Sequence, residues 1–182
     1  MDPLIAPWIV IGALAVLALV AVVWIVAASV SMRRLAASVD ERWAALASTL
    51  ERRRSVAAPL LLSATEAQRA QAADAFIALE QAASPAAKAE AEAAAQRAMR
   101  PLVQNAATHP SGSEATEART ALAALDDEAQ ARRRDYNTGA RELNAKARRF
   151  PTSLFVGSAG GRRDFFEVDQ TGAVAEPPRV EF

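Results

Sequence analysis

The chain has 182 residues, 21 Lys plus Arg against 21 Asp plus Glu, one His and no Cys. This length accommodates one or two small domains, and the balanced charge provides no bulk electrostatic hold on nucleic acid. The composition rules out a disulfide framework, a thiolate nucleophile, a sulfur-bound zinc and a His cluster; carboxylate chemistry stays open.

The first element is apolar. No charged residue occurs from Pro3 to Met32, and Trp8 to Val30 supplies 23 residues, whereas a bilayer core of about 30 Å needs about 20 in a helix. Trp8 suits the interfacial aromatic belt. The competing reading, a cleaved signal peptide, needs a basic start and a shorter apolar core; here only Asp2 precedes the run. A retained transmembrane helix over 8–32 is therefore expected. Arg33, Arg34 and Arg42 follow it and no Lys or Arg precedes it, so the positive-inside rule puts residues 1–7 outside and the rest in the cytoplasm. Trp8, Arg33 and Arg34 are the expected membrane-interface residues.

Ala, Arg and Glu dominate the chain beyond the apolar run, and these are strong helix formers. Leu35, Val39, Trp43, Leu46 and Leu50 share one helical face continuing the transmembrane helix, and Pro59 predicts a break or kink. Ser84-Pro85 reads as a capped helix start, and the segment from 108 to 113 as a loop. The last helix carries Ala118, Leu122, Leu125, Ala129, Arg132, Tyr136, Gly139, Leu143, Lys146 or Ala147, and Phe150 in steps of four and three, a seam that predicts packing through a few large groups, Phe150 among them. Residues 33–150 thus read as a helical rod.

Residues 151–182 are not helical in character. Gly157, Gly160 and Gly161 before Arg162-Arg163 lack the strand and the Lys-Ser or Lys-Thr of a phosphate loop and read as a flexible link. Phe165 to Val168 and Ala173 to Ala175 flank Gln170-Thr171-Gly172, which allows a short hairpin packed on the helices. Asp164, Glu167 and Asp169 lack the turn of a calcium loop, and His109 has no partner to orient it. No catalytic residue, cofactor or metal is expected.

Several spaced features resemble the LemA family: Tyr136-Asn137, Asn144 seven residues on, Phe150-Pro151, Arg133 three residues before the tyrosine, Phe165-Phe166-Glu167, and Trp43, Leu50, Arg52 and Arg53 near the front. The chain departs from that pattern at Ser55 to Leu60, at His109-Pro110 and at Leu143, as a diverged member would. The resemblance implies an antiparallel bundle of long helices behind a single transmembrane helix, in agreement with the periodicity. The fold expected is all-α with a non-helical C-terminal tail.

Arg133, Tyr136, Asn137, Asn144, Phe150 and Pro151 form the candidate interaction motif. Asn137 and Asn144 lie two turns apart on nearly one face, so they either recognise a partner or form a buried network that fixes helix register. The second is the more general device, and it predicts that Asn144→Leu leaves or raises thermal stability. The runs Arg52–Arg54 and Arg132–Arg134 read as interhelical ion pairs and solvated faces rather than lipid contacts. The function expected is a non-catalytic scaffold or adaptor, the alternative a membrane-shaping or lipid-binding oligomeric rod. Its partners are then the lipid bilayer and one or more proteins, with homo-oligomers left open and neither nucleic acid nor a small-molecule substrate expected.

Overall fold

A computed structural model describes residues 5–108 and 112–167. The chain is all-α, with four helices among the described residues: α1 (Ile5–Leu62), α2 (Glu66–Gln81), α3 (Pro85–Thr108) and α4 (Gly112–Lys146). Two 3-10 turns follow, Thr152–Phe155 and Gly157–Ala159, and no strand occurs among the described residues. The expected hairpin lies largely outside them, as do His109-Pro110 and residues 1–4.

The backbone forms two compact units. One comprises residues 1–40 with 139–163, the other residues 41–138 with 164–182. Helices α1 and α4 contribute to both.

In the first unit, Met32, Ala36 and Val39 of α1 are buried, as are Ala140, Leu143 and Ala147 around the end of α4. The three alanines among them permit close helix approach while burying little area each. The N-terminal part of α1 is different. Leu14, Leu17, Leu19 and Val23 are all exposed, and this helix is long and apolar enough to cross a membrane.

In the second unit, α1 presents Leu46, Leu50, Arg53, Ala57 and Leu60, all buried, in steps of four, three, four and three. Ala72, Phe76 and Leu79 of α2 are buried, together with Ala95, Met99 and Leu102 of α3 and Leu122, Leu125 and Tyr136 of α4. Alanine supplies much of this core, so a few large side chains supply most of the buried area.

Local sequence sets the helix ends. Pro59 does not end α1, which runs on to Leu62. A proline so near a C-terminus removes one hydrogen bond that only the last turn would miss. The break falls at 63–65, where Thr65 begins α2 with a capping box: its Oγ1 accepts the Gln68 N–H at 3.3 Å, and its own N–H donates to Gln68 Oε1 at 3.0 Å. Ser84 Oγ accepts the Ala87 N–H at 3.2 Å ahead of Pro85.

Two expected seam residues of α4 are not in the core. Arg132 points outward and pairs with Glu128 at 3.7 Å, because the inward face steps from the buried Leu125 through the half-buried Ala129 and Arg133 to the buried Tyr136, two successive fours, before resuming at Ala140, Leu143 and Ala147. That extra four-residue step keeps the seam on one face of a straight helix, which a strict heptad drifts away from. Phe150 is 73% exposed, beyond the end of α4.

The glycine segment is an ordered turn, not a flexible link. Gly160 and Gly161 take φ of 80° and 83°, and the Gly161 N–H donates to Val156 O at 2.8 Å. Residues with a Cβ rarely adopt this conformation. The turn sends the chain back as a stretch without regular secondary structure, 161–167.

Candidate functional site

In the first unit, Asn144 grips a peptide group. Its Nδ2 donates to Arg163 O at 2.7 Å, and its Oδ1 accepts the Arg163 N–H at 3.0 Å. The Arg163 side chain donates to both carboxylate oxygens of Asp40, Nε and Nη2 to Oδ1 at 3.0 and 2.9 Å and Nη2 to Oδ2 at 3.1 Å. Its Nη1 donates to Gly160 O at 2.6 Å. A Cβ on Gly160 would lie 3.1 Å from Arg163 Nη2, so a side chain there would press on the guanidinium as well as strain φ. Lys146 Nζ donates to Ser31 Oγ, and Thr152 Oγ1 donates to Arg149 O at 2.8 Å.

In the second unit, Asn137 uses the same device. Its Nδ2 donates to Phe166 O at 3.0 Å, and its Oδ1 accepts the Phe166 N–H at 2.9 Å. The Tyr136 hydroxyl donates to Asp164 O at 2.8 Å. Trp43 stands between two aromatic rings, Tyr136 at 5.3 Å and Phe166 at 6.3 Å between centroids, both tilted. Tyr136 and Phe166 are buried. The expected network between helices is thus replaced: both asparagines pair with the main chain of the returning segment.

The second unit also holds a charge cluster in which Arg53 and Glu92 are buried and Asp126 is exposed to solvent on one side. Arg53 is 3% exposed and donates to Glu92 and Asp126. Gln96 Nε2 donates to the same Glu92 oxygen, Oε1, at 2.9 Å. Glu92 Oε2 is buried with no hydrogen-bond partner, and Glu92 lines a cavity of about 20 Å³ together with Gln130 and Arg133, room for about one water molecule. Burial pushes the Glu92 carboxyl above its ordinary range against the opposing pull of Arg53. Burial raises Asp126 as well, again against Arg53. Two carboxylates sharing one guanidinium leave an uncompensated negative charge, which protonation relieves.

Around this cluster lie ordinary pairs: Arg54 with Glu80 at 2.8 Å, Arg52 with Glu128 at 3.5 Å and the buried Lys88 with Glu51 at 3.1 Å. Arg133 donates to Gln130 Oε1 at 2.8 Å. No group of three or more His, Cys, Asp or Glu able to hold a metal occurs among the described residues.

The LemA family model matches residues 43–182. The chain belongs to the LemA family. No curated protein matches it. The match begins at Trp43, so it takes in both asparagine clamps and the buried cluster and leaves out the apolar part of α1.

Of the candidate motif in this LemA-family chain, Tyr136 and Asn137 act together in one unit and Asn144 acts in the other. Arg133 donates to Gln130 and borders the cavity. Pro151 is buried behind a cis peptide bond from Phe150, whose ring is exposed and lies 6.0 Å from that of Trp24. Trp8, Arg33 and Arg34 are exposed on α1. The residues that sequence reasoning missed are Arg53 as a core group, Glu92, Asp40 and Trp24; Asp126 was open to it as an acidic partner of the Arg52–Arg54 run, and Arg53 does donate to it. A signal for Arg53 existed, since it completes the step pattern between Leu50 and Ala57.

Proposed function

We propose that this protein is a single-pass, membrane-anchored scaffold or adaptor of the LemA family, with its helical units in the cytoplasm and no catalytic step of its own. One observation carries the reading: α1 is a single helix whose N-terminal apolar stretch has no part buried, while its polar continuation is packed by other helices and pinned by ion pairs. An exposed apolar stretch of that length is satisfied by lipid. Arg33 and Arg34 after it, with no Lys or Arg before it, support the cytoplasmic side. The clamps and the buried cluster hold the fold, which leaves the outer helix faces to bind a protein partner.

The test is made on the full chain in its native membranes. Alkaline carbonate should leave it in the pellet, and protease added to inside-out vesicles should digest the helical part. Crosslinking should then attach one or a few specific proteins. Release by carbonate removes the anchor, protection from protease reverses the orientation, and a chain that crosslinks to nothing loses the adaptor reading.

A further inference from the structure

The turn that follows α4 is a second membrane-contacting element. We infer that Phe150 and Leu154 insert beside α1 into the apolar edge of the bilayer, held there by arginines at anionic headgroups. The inference rests on the reading of α1 as a membrane anchor, and each of its supports lies within the first unit.

Depth is the first support. The Phe150 ring lies 6.0 Å from the Trp24 ring, and Trp24 precedes Arg33 by nine residues, about 13 Å along a helix. A span of 8–30 puts Trp24, and Phe150 with it, within the hydrocarbon. A span ending at Trp24 itself has 17 residues, the lower limit for crossing, and puts both rings in the interfacial aromatic belt. Lipid meets Phe150 on either placement. The protein also claims the end of the apolar run for itself, since Met32 is fully buried and Ser31 accepts a hydrogen bond from Lys146.

Exposure is the second support. Phe150 is 73% and Leu154 67% exposed, although both follow a helix whose apolar face is otherwise covered. Phe150 is continuous with the exposed apolar face of α1 through the Trp24 contact, Leu154 follows it in the next 3-10 turn, and that continuity selects lipid as the occupant over a separate protein.

Charge is the third. Residues 139–163 contain Arg141, Lys146, Arg148, Arg149, Arg162 and Arg163 against the single acid Glu142, in a chain of zero net charge. Arg33, Arg34, Arg148, Arg149 and Arg162 are exposed. An apolar tip flanked by long basic side chains is the arrangement that lets them bury their stems and reach phosphates.

The chain has no cysteine, so single cysteines report without background. Full-length V16C, F150C, L154C and E142C, each carrying an environment-sensitive fluorophore, are reconstituted in vesicles of phosphatidylcholine with phosphatidylglycerol. Labels at 150 and 154 should shift to the blue and lose intensity to lipid-borne nitroxide, whereas the label at 142 should respond to aqueous iodide. Arg148→Gln with Arg149→Gln should weaken the signal at 150, and so should removal of the anionic lipid. Labels at 150 and 154 that stay open to iodide while 16 is lipid-quenched overturn the inference and leave the anchor standing. Labels shielded from both quenchers mean that a protein or a second copy covers the turn, which also overturns it. Iodide access at 16 removes the anchor and the inference together.

Discussion

Asn137 and Asn144 each commit a whole carboxamide to one residue's main chain, donor to carbonyl and acceptor to N–H. Leucine at 144 would leave both groups of Arg163 without their partner at a half-buried site. Against the expectation from sequence, Asn144→Leu should therefore lower stability by about 1–3 kcal/mol, seen as an earlier midpoint in denaturant. Asn144→Asp, which keeps the acceptor and loses the donor, should fall between. The spacing of the asparagines was legible because helix geometry puts seven residues on one face. Their partner was not, since a peptide group has no side-chain signature in sequence. Arg53 is the opposite case: its position in the apolar register and its interhelical ion pairing were legible, but a run of three arginines does not say which of them is buried. Arg53→Ala should cost about 3–5 kcal/mol because it strands a buried Glu92, while Arg53→Met combined with Glu92→Leu should recover much of that loss.

The same cluster gives a pH dependence with a definite sign. The folded Glu92 holds its proton above the ordinary value of 4.5, so over that window the folded chain binds protons that the unfolded chain has released. Stability from this site is present at low pH and declines as pH rises from about 4.5 through the raised value. Glu92→Gln should flatten that decline in denaturant titrations repeated across pH; an unchanged slope would put its origin elsewhere.

At the scale of elements, helix ends obey short-range chemistry. Thr65-Glu66-Ala67-Gln68 spells a capping box, and Thr65→Ala should cost about 1 kcal/mol and speed amide exchange in the first turn of α2. The break expected at Pro59 falls instead at 63–65 because a cap initiates a helix more strongly than a proline in a last turn ends one. Gly160 is the other local determinant. Gly160→Ala should destabilise by about 1 kcal/mol through φ alone, and more if Arg163 is pushed from Asp40. Glycines without a flanking strand look permissive in sequence, and only the returning segment shows what they turn toward.

At the scale of the whole molecule, zero net charge conceals a local excess of basic residues around the C-terminal end of α4, and an apolar stretch on α1 conceals none of itself. All-helical class and the long apolar start could be read from composition and period alone. The division into two units could not, because α1 and α4 pass through both and carry no composition change where one unit ends. Phe166 is 2% exposed, so removing residues 165–182 should lower the melting temperature of the detergent-solubilised chain by several degrees, given about 1.5–3 kcal/mol for one buried phenylalanine.

A carboxamide clasped to a peptide unit is indifferent to spelling. The stretch from 163 to 166 can therefore change its letters freely at Asp164 and Phe165 and still be held. Proline is the exception: placed at 163 or 166 it offers no hydrogen to the waiting oxygen, and the grip opens at that one place.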